Sequence, residues 1–190
     1  MVEIKEDKRR EYRISTEAIV DAKGEVEVYL NSKCLGRKPA GKANRHIASF
    51  EIVYEPGELV VVGFEKGVEV SRTSLRTAGT PASIRLTPDR TELKAKLRDL
   101  SFVTVEVLDA DGNIVHNAFN DICFTVCGAG VLLAVGSGNP ISDEPYVGNR
   151  RKVHEGRAMV VVGTDGEAGE IILRAAADGI PCAEAAIRVR

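Results

Sequence analysis

Residues 100–113 read LSFVTVEVLDADGN, and this stretch decides the fold class. Valine occupies every second position from 103 to 107, with other residues between. A period of two is typical of a strand with one buried face. The Asp111-Gly112 pair that follows predicts a tight turn, because glycine tolerates a positive φ. The two faces are Val103, Val105 and Val107 on one side, and Phe102, Thr104 and Glu106 on the other.

Similar alternating segments lie on both sides of this strand, separated by turn residues, and they predict further short strands. Ala78-Gly79-Thr80-Pro81 interrupts the series and is interpreted as a linker. The sequence therefore predicts an all-β chain of two tandem immunoglobulin-like β-sandwich domains, residues 1–78 and 79–190. The predicted strands are 25–30, 34–37, 46–54, 59–64, 68–77, 84–86, 100–108, 122–127, 131–135, 158–162, 170–175 and 183–189. The predicted inward side chains are Val26, Val28, Leu30, Ile52 and Val61 in the first domain, and Val103, Val105, Val107, Phe124 and Val161 in the second.

Composition supports the all-β prediction and excludes several classes of partner. The 190 residues include 36 Val and Ile against 12 Leu, and β-branched side chains favour strands. The net charge is −2 and the pI is about 6.0, which predicts no attraction to nucleic acid. No apolar run approaches the roughly 20 residues of a membrane helix, so the sequence predicts no membrane among the partners of the chain. The charged start, MVEIKEDKRREYR, contains no apolar core of a signal peptide.

No metal site and no cofactor are predicted. Residues 36–43 nearly match a phosphate-binding loop, but Ala43 replaces the Ser or Thr that would hold magnesium. Residues 109–113 resemble half of a calcium loop, but Ile114 stands where an EF-hand needs glycine, so a hairpin turn is favoured. The cysteines lack the spacing of a zinc site and are interpreted as free, buried thiols. They are Cys34, Cys123, Cys127 and Cys182.

The stretch 136–156 is the longest without strand character and is the candidate functional site. Long loops on rigid sandwiches commonly carry recognition, and Tyr and Arg are favoured interface residues. A plain surface loop and a direct sugar or calcium site remain alternatives. No catalytic residue is predicted, because a glycosidase needs two carboxyl groups opposed across a cleft, whereas the acids here are neighbours in sequence. The candidate residues for a carbohydrate-binding or interface loop are Asn139, Asp143, Glu144, Tyr146, Arg150 and Arg151.

Five stretches together resemble the C-terminal region of Bacteroides-type β-galactosidases of glycoside hydrolase family two. They are EVEVYLNSKCLGR at 25–37, YEPGEL at 54–59, RTAGTPASIRL at 76–86, DLSFVTVEV followed by DADGN within 99–113, and GSGNP with a later EP within 136–145. The last domain is also similar to bacterial immunoglobulin-like modules of the invasin and intimin type. Asn139 stands where the family usually has Asp, which argues against a metal ligand there.

The resemblance implies a non-catalytic fragment of a glycosidase, expected to be a bacterial enzyme that is periplasmic or secreted. Its partners would be the parent enzyme's catalytic barrel and sugar-binding domains, and the fragment would shape substrate access or build the oligomer. Glycans are a further candidate partner. The alternative is a stand-alone carbohydrate-binding or adhesive tandem of immunoglobulin-like modules.

Overall fold

A computed structural model describes residues 2–6, 12–19, 24–96 and 99–190, with side chains from residue 24 onward. The regular secondary structure of the described residues consists of strands, apart from one 3-10 turn at Lys42–Asn44. None of their helices is long and apolar enough to cross a membrane. The chain divides into two compact units, Met1–Thr77 and Ala78–Arg190. The predicted all-β class is confirmed, whereas the assignment of 1–78 and 79–190 to particular module types stays a prediction.

The first unit contains two antiparallel sheets, of order β1-β2-β5 and β4-β3-β6-β7. Its core lies on the inward side of β3 and β5, where alternate residues are apolar, and Val26, Val28 and Ile52 are buried as predicted. Leu30 is half-buried, and Val61 packs against the edge of this core. The strands are β1 (Val2–Glu6), β2 (Tyr12–Ile19), β3 (Glu25–Leu30), β4 (Lys33–Pro39), β5 (Ile47–Val53), β6 (Glu58–Glu65) and β7 (Val68–Arg76).

The second unit contains a sheet of order β12-β14-β10-β8 and a sheet of order β13-β11-β15-β16-β9. Only the β9–β16 pair is parallel among the described strand pairs of this unit. The strands are β8 (Ser83–Pro88), β9 (Glu92–Leu93), β10 (Leu100–Leu108), β11 (Asp121–Gly128), β12 (Gly130–Gly136), β13 (Arg150–Lys152), β14 (Arg157–Thr164), β15 (Gly169–Ala177) and β16 (Ile180–Val189).

The inward side chains of β10 are as predicted, but those of β14 are not. Val103, Val105 and Val107 are fully buried in the core of the second unit, together with Phe124. On β14 the buried valines are Val160 and Val162, so the predicted inward orientation of Val161 is wrong. Residues 158–162 read AMVVV, and a run of apolar residues does not indicate which of two alternating sets faces inward. Val161 therefore lies on the outward face.

The turn after β10 is built around the carboxylate of Asp109. Its Oδ1 accepts hydrogen bonds from the backbone N–H groups of Asp111 and Asn113, at 3.0 and 2.8 Å. Its Oδ2 accepts one from the backbone N–H of Gly79, at 2.8 Å, and the Asn113 amide donates to both oxygens. The predicted turn is confirmed, and its aspartate binds backbone and amide donors.

All four cysteines are free, but the prediction that they are buried is wrong. Cys34, Cys127 and Cys182 are exposed, and Cys123 is partly buried. Cys123 and Cys127 alternate on β11 with Ile122 and Phe124, whose side chains fill the core, so the thiols take the outward positions.

Candidate functional site

The candidate loop is shorter than the sequence predicts. Strand β12 ends at Gly136, and Arg150–Lys152 forms β13, which pairs antiparallel with β11. The prediction that 136–156 lacks strand character is therefore wrong at β13. Three consecutive basic residues show no apolar alternation, so the sequence gives no signal for a strand that pairs with β11 through its backbone and through the Arg150–Asp121 ion pair. The remaining loop, residues 137–149, is called the site loop below.

Arg151, on β13 just after the site loop, is buried and not on the surface, with 2% of the residue exposed. Its guanidinium donates to three backbone oxygens: Val135 O at 2.9 Å, Pro145 O at 2.7 Å and Glu144 O at 3.3 Å. The planar guanidinium presents its donors from separate nitrogens in a fixed fork, whereas a lysine presents all of its donors from one nitrogen. Arg151 therefore fastens the end of the site loop to the last residues of β12.

The Glu144 side chain completes this arrangement. Its Oε2 lies 3.5 Å from the Arg151 guanidinium and accepts a hydrogen bond from the Ser142 hydroxyl at 3.1 Å. Its Oε1 accepts the backbone N–H of Lys152 at 3.4 Å. Earlier in the loop, Asn139 Oδ1 accepts the backbone N–H of Ile141 at 3.1 Å, which forms a local turn. Asn139 therefore forms its contact within the site loop, whereas Glu144 joins the loop to β13.

The Tyr146 ring is positioned by the same arginine. The Arg151 guanidinium carbon lies 5.4 Å from the centre of the ring, within the range of a cation–π contact. A Cβ at Gly136 would lie 3.4 Å from the ring, at ordinary van der Waals distance, so the ring lies directly over this glycine. The Tyr146 backbone O accepts a hydrogen bond from Val135 N at 2.9 Å. The tyrosine is nevertheless 71% exposed, so it presents a fixed aromatic surface to solvent.

Two further apolar side chains of the site loop are exposed, and the sequence reasoning missed them. Ile141 is 90% exposed and Val147 is 80% exposed. With Tyr146 they form what is called the loop tip below. The available signal was the presence of large apolar residues in a segment otherwise rich in Gly, Pro and polar residues. Desolvating such side chains favours binding, so the loop tip suits contact with another apolar surface.

The other two candidate residues, Arg150 and Asp143, lie on the surface. Arg150 donates to Asp121 Oδ2 at 2.8 Å, and this hydrogen bond raises the pKa of the guanidinium above its ordinary value. Asp143 is exposed, next to Glu144. Among the side chains described, no three His, Cys, Asp or Glu residues come together in a way that could hold a metal ion.

A family model decides the family of the chain. Residues 84–186 match the model described as glycoside hydrolase family 2 C-terminal domain 5. The chain belongs to this family. Residues 20–71 match a second model, described as a domain of unknown function, DUF4982.

The relatives of the chain in glycoside hydrolase family 2 are much longer proteins. The β-galactosidase BoGH2A of Bacteroides ovatus is 43% identical over 156 residues, which cover 82% of this chain and 18% of that protein. A putative β-glucuronidase of Formosa agariphila is 31% identical over 62% of this chain and 11% of that protein. The crystal structure of a family 2 member from Bacteroides cellulosilyticus has a TM-score of 0.90 at 31% identity, covering 94% of this chain and 23% of its own.

These comparisons confirm the resemblance predicted from the sequence. The chain corresponds to a C-terminal region of family 2 glycosidases, and it spans between 11% and 21% of the length of the curated relatives. In those relatives the matching region is part of a larger enzyme, and the accessory, non-catalytic role predicted from the sequence agrees with this. The likeness of the last domain to invasin and intimin modules stays a prediction.

Proposed function

We propose that this chain serves a β-galactosidase-like family 2 enzyme as an accessory region, and that its site loop docks on the rest of that enzyme. The observation that carries the proposal is the loop tip, where Ile141, Tyr146 and Val147 are at least 71% exposed. Arg151 holds the backbone at Glu144 and Pro145, just before Tyr146 and Val147, so little conformational entropy is lost when these two side chains are covered. The β-galactosidase assignment rests on the 43% identity to the Bacteroides ovatus protein.

The partner surfaces proposed are the catalytic barrel and the sugar-binding domains of the parent enzyme. An exposed isoleucine and valine gain little from a glycan, whose surface is largely hydroxyl groups, but they gain from an apolar protein surface. Docking of this kind would shape substrate access or support the oligomer. The alternative is that the polar residues of the loop bind a glycan. Titration of the chain with sugars tests this alternative.

The chain alone is expected to hydrolyse no nitrophenyl β-galactoside. Retaining and inverting glycosidases both need two carboxyl groups about 5–9.5 Å apart, with the scissile bond between them. Asp143 and Glu144 are neighbours on one loop, and Glu144 is paired with Arg151. Release of nitrophenol by the purified chain should equal that of buffer. Turnover that disappears in an Asp143→Asn or Glu144→Gln variant would overturn this prediction.

Docking of the loop tip predicts different effects in the chain and in the full-length enzyme. Ile141→Asn with Val147→Asn should shift the melting temperature of the isolated chain by less than about 2 °C, because both side chains are already exposed. In the full-length polypeptide the same pair should lower the melting temperature by several degrees, or raise KM, because an apolar contact is lost. Differential scanning calorimetry and steady-state kinetics measure both.

Asp143→Asn is the matched control, because it changes an exposed polar residue of the same loop. It should leave both the isolated chain and the full-length enzyme unaltered. If the Ile141 and Val147 variant also leaves stability and kinetics of the full-length enzyme unaltered, the site loop does not dock.

A further inference from the structure

A second apolar surface lies on the outward face of the β12-β14-β10 part of the sheet. Four of its side chains are between 43% and 45% exposed, although they stand on strands of the sheet. Phe102 lies opposite Val161 in the β10–β14 pair, and Leu133 lies over Gly163, where a Cβ would be 2.6 Å from it. This surface, called the apolar face below, comprises Val131, Leu133, Phe102, Met159, Val161 and, from the site loop, Tyr146.

The apolar face continues into the loop tip. Met159 is directly opposite Gly136 in the β12–β14 pair, and Tyr146 lies over the same glycine. Directly opposed residues on one face of a sheet are about 4.5–5.5 Å apart. Met159 and Tyr146 are therefore both neighbours of Gly136 on this face. Tyr146 therefore belongs to both surfaces and joins them.

Other outward faces of the chain carry charged pairs, although β7 also exposes Val68, Val70 and Leu75. On β15 and β16, Arg174 and Glu184 lie 2.6 Å apart across the strands. In the first unit, Arg37 lies 2.8 Å from Glu27 and covers the ring of Phe64 at 4.3 Å. Paired charges of this kind are typical of solvent-facing strands. The apolar face differs from these surfaces, and the difference indicates that a partner covers it.

We infer that the apolar face, together with the loop tip, is the seat of another domain of the same family 2 enzyme polypeptide. The inference rests on the proposed function and extends it from a loop to a sheet surface. A stable interface between separate proteins takes about 20–30 residues a side, and the apolar face with the loop tip has far fewer. A tethered domain needs less, because the linkage raises its effective concentration to about the millimolar range.

The chemistry of the face also restricts the partner. Thr104 is the polar side chain within it, opposite Met159. At its border Glu106 is already paired with Arg85 and Arg157, at 2.6 and 3.3 Å. The side chains that form the face carry no charge, and the charge at its border is already paired. The surface that covers the face is therefore apolar and uncharged where it meets β10 and β14.

The test places two lysines on the face of the full-length polypeptide, by Leu133→Lys with Met159→Lys. The matched control places two lysines on the outward side of the other sheet, by Thr125→Lys with Ala186→Lys, where both positions are exposed. The isolated chain should tolerate both pairs, with melting temperatures within about 3 °C of the parent. In the full-length polypeptide the face pair, and not the control pair, should speed limited proteolysis at least threefold. If lysines unfold the chain, Leu133→Ser with Met159→Ser replaces them.

The loop-tip variant separates failure of this inference from failure of the proposed function. If Ile141→Asn with Val147→Asn destabilises the full-length enzyme but the face pair matches its control, the inference is overturned and the proposed function stands. If neither variant has an effect, both are overturned. If the isolated chain forms dimers in light scattering that the face pair abolishes, the occupant is a second copy, and the inference is again overturned.

Discussion

Replacing Arg151 with methionine is expected to lower the free energy of unfolding of the second unit by about 2–4 kcal/mol. Methionine fills much of the same space, but it cannot donate to the oxygens of Val135, Glu144 and Pro145. Buried carbonyl groups that lose their donors keep the free-energy cost of leaving water. Glu144 also loses its cation and is left half-buried.

Urea denaturation of the isolated chain measures this loss, with Arg150→Met as the control. Arg150 is the sequence neighbour, but it is exposed and binds a single carboxylate, so its loss should leave the midpoint nearly unchanged. Arg151→Lys should fall between the two, because an ammonium keeps the charge and three donors but presents them from a single nitrogen, not from the two spaced nitrogens that reach Val135, Glu144 and Pro145. Equal midpoints for Arg150→Met and Arg151→Met would contradict the central role of Arg151 in the loop.

Replacing Asp109 with asparagine is expected to lower the melting temperature of the second unit by roughly 5 °C or more, although the side chains have the same shape. Oδ2 of Asp109 accepts hydrogen bonds from the Gly79 backbone N–H and the Asn113 amide. If the NH₂ group of asparagine took the position of Oδ2, it would face these two donors and could accept neither hydrogen bond. Asp111→Asn is the control, because Asp111 is exposed on the same turn. A control that melts as low as the Asp109 variant would contradict this assignment.

Asp109 also makes the stability of the second unit sensitive to acid. The hydrogen bond from Gly79, with those from Asn113 and Asp111, outweighs the opposing effect of burial and lowers the pKa of Asp109 to about 2. In the unfolded chain the pKa is near 3.9, so the unfolded state binds the proton first as the pH falls. The stabilisation is therefore complete above about pH 4 and is lost between about pH 4 and 2. In acid titrations of stability, Asp109→Asn should show a shallower fall across this interval than the parent.

Much of the fold could be predicted because its strands alternate. Strand β10 occupies Leu100–Leu108, the bounds that its valines predict, and β3 occupies Glu25–Leu30. The alternating pattern is absent in two places where the prediction fails. Residues 158–162 are apolar throughout, which hides the orientation of Val161, and β13 is a basic tripeptide that pairs through its backbone.

The candidate site could be placed from the sequence, but the roles of its residues could not. The Gly, Pro and polar residues indicate the loop, and the sequence predicts Tyr146 as an interface residue within it. The sequence predicts the same role for Arg151, because arginine is rarely buried. Its burial depends on three backbone oxygens that only the folded loop brings together. The exposure of Ile141 and Val147 likewise follows from tertiary structure.

Strand β12 pairs with β14 through a bulge, and this irregularity has an evolutionary consequence. Leu132 is opposite Val162 and Ala134 is opposite Val161, so Leu133 is the extra residue between them. Deleting the single codon for Leu133 would leave Val135 inward and Gly136 outward, because the pairing on both sides is already in register. A lineage could therefore gain or lose this leucine on the surface in one step, without altering the core beneath it.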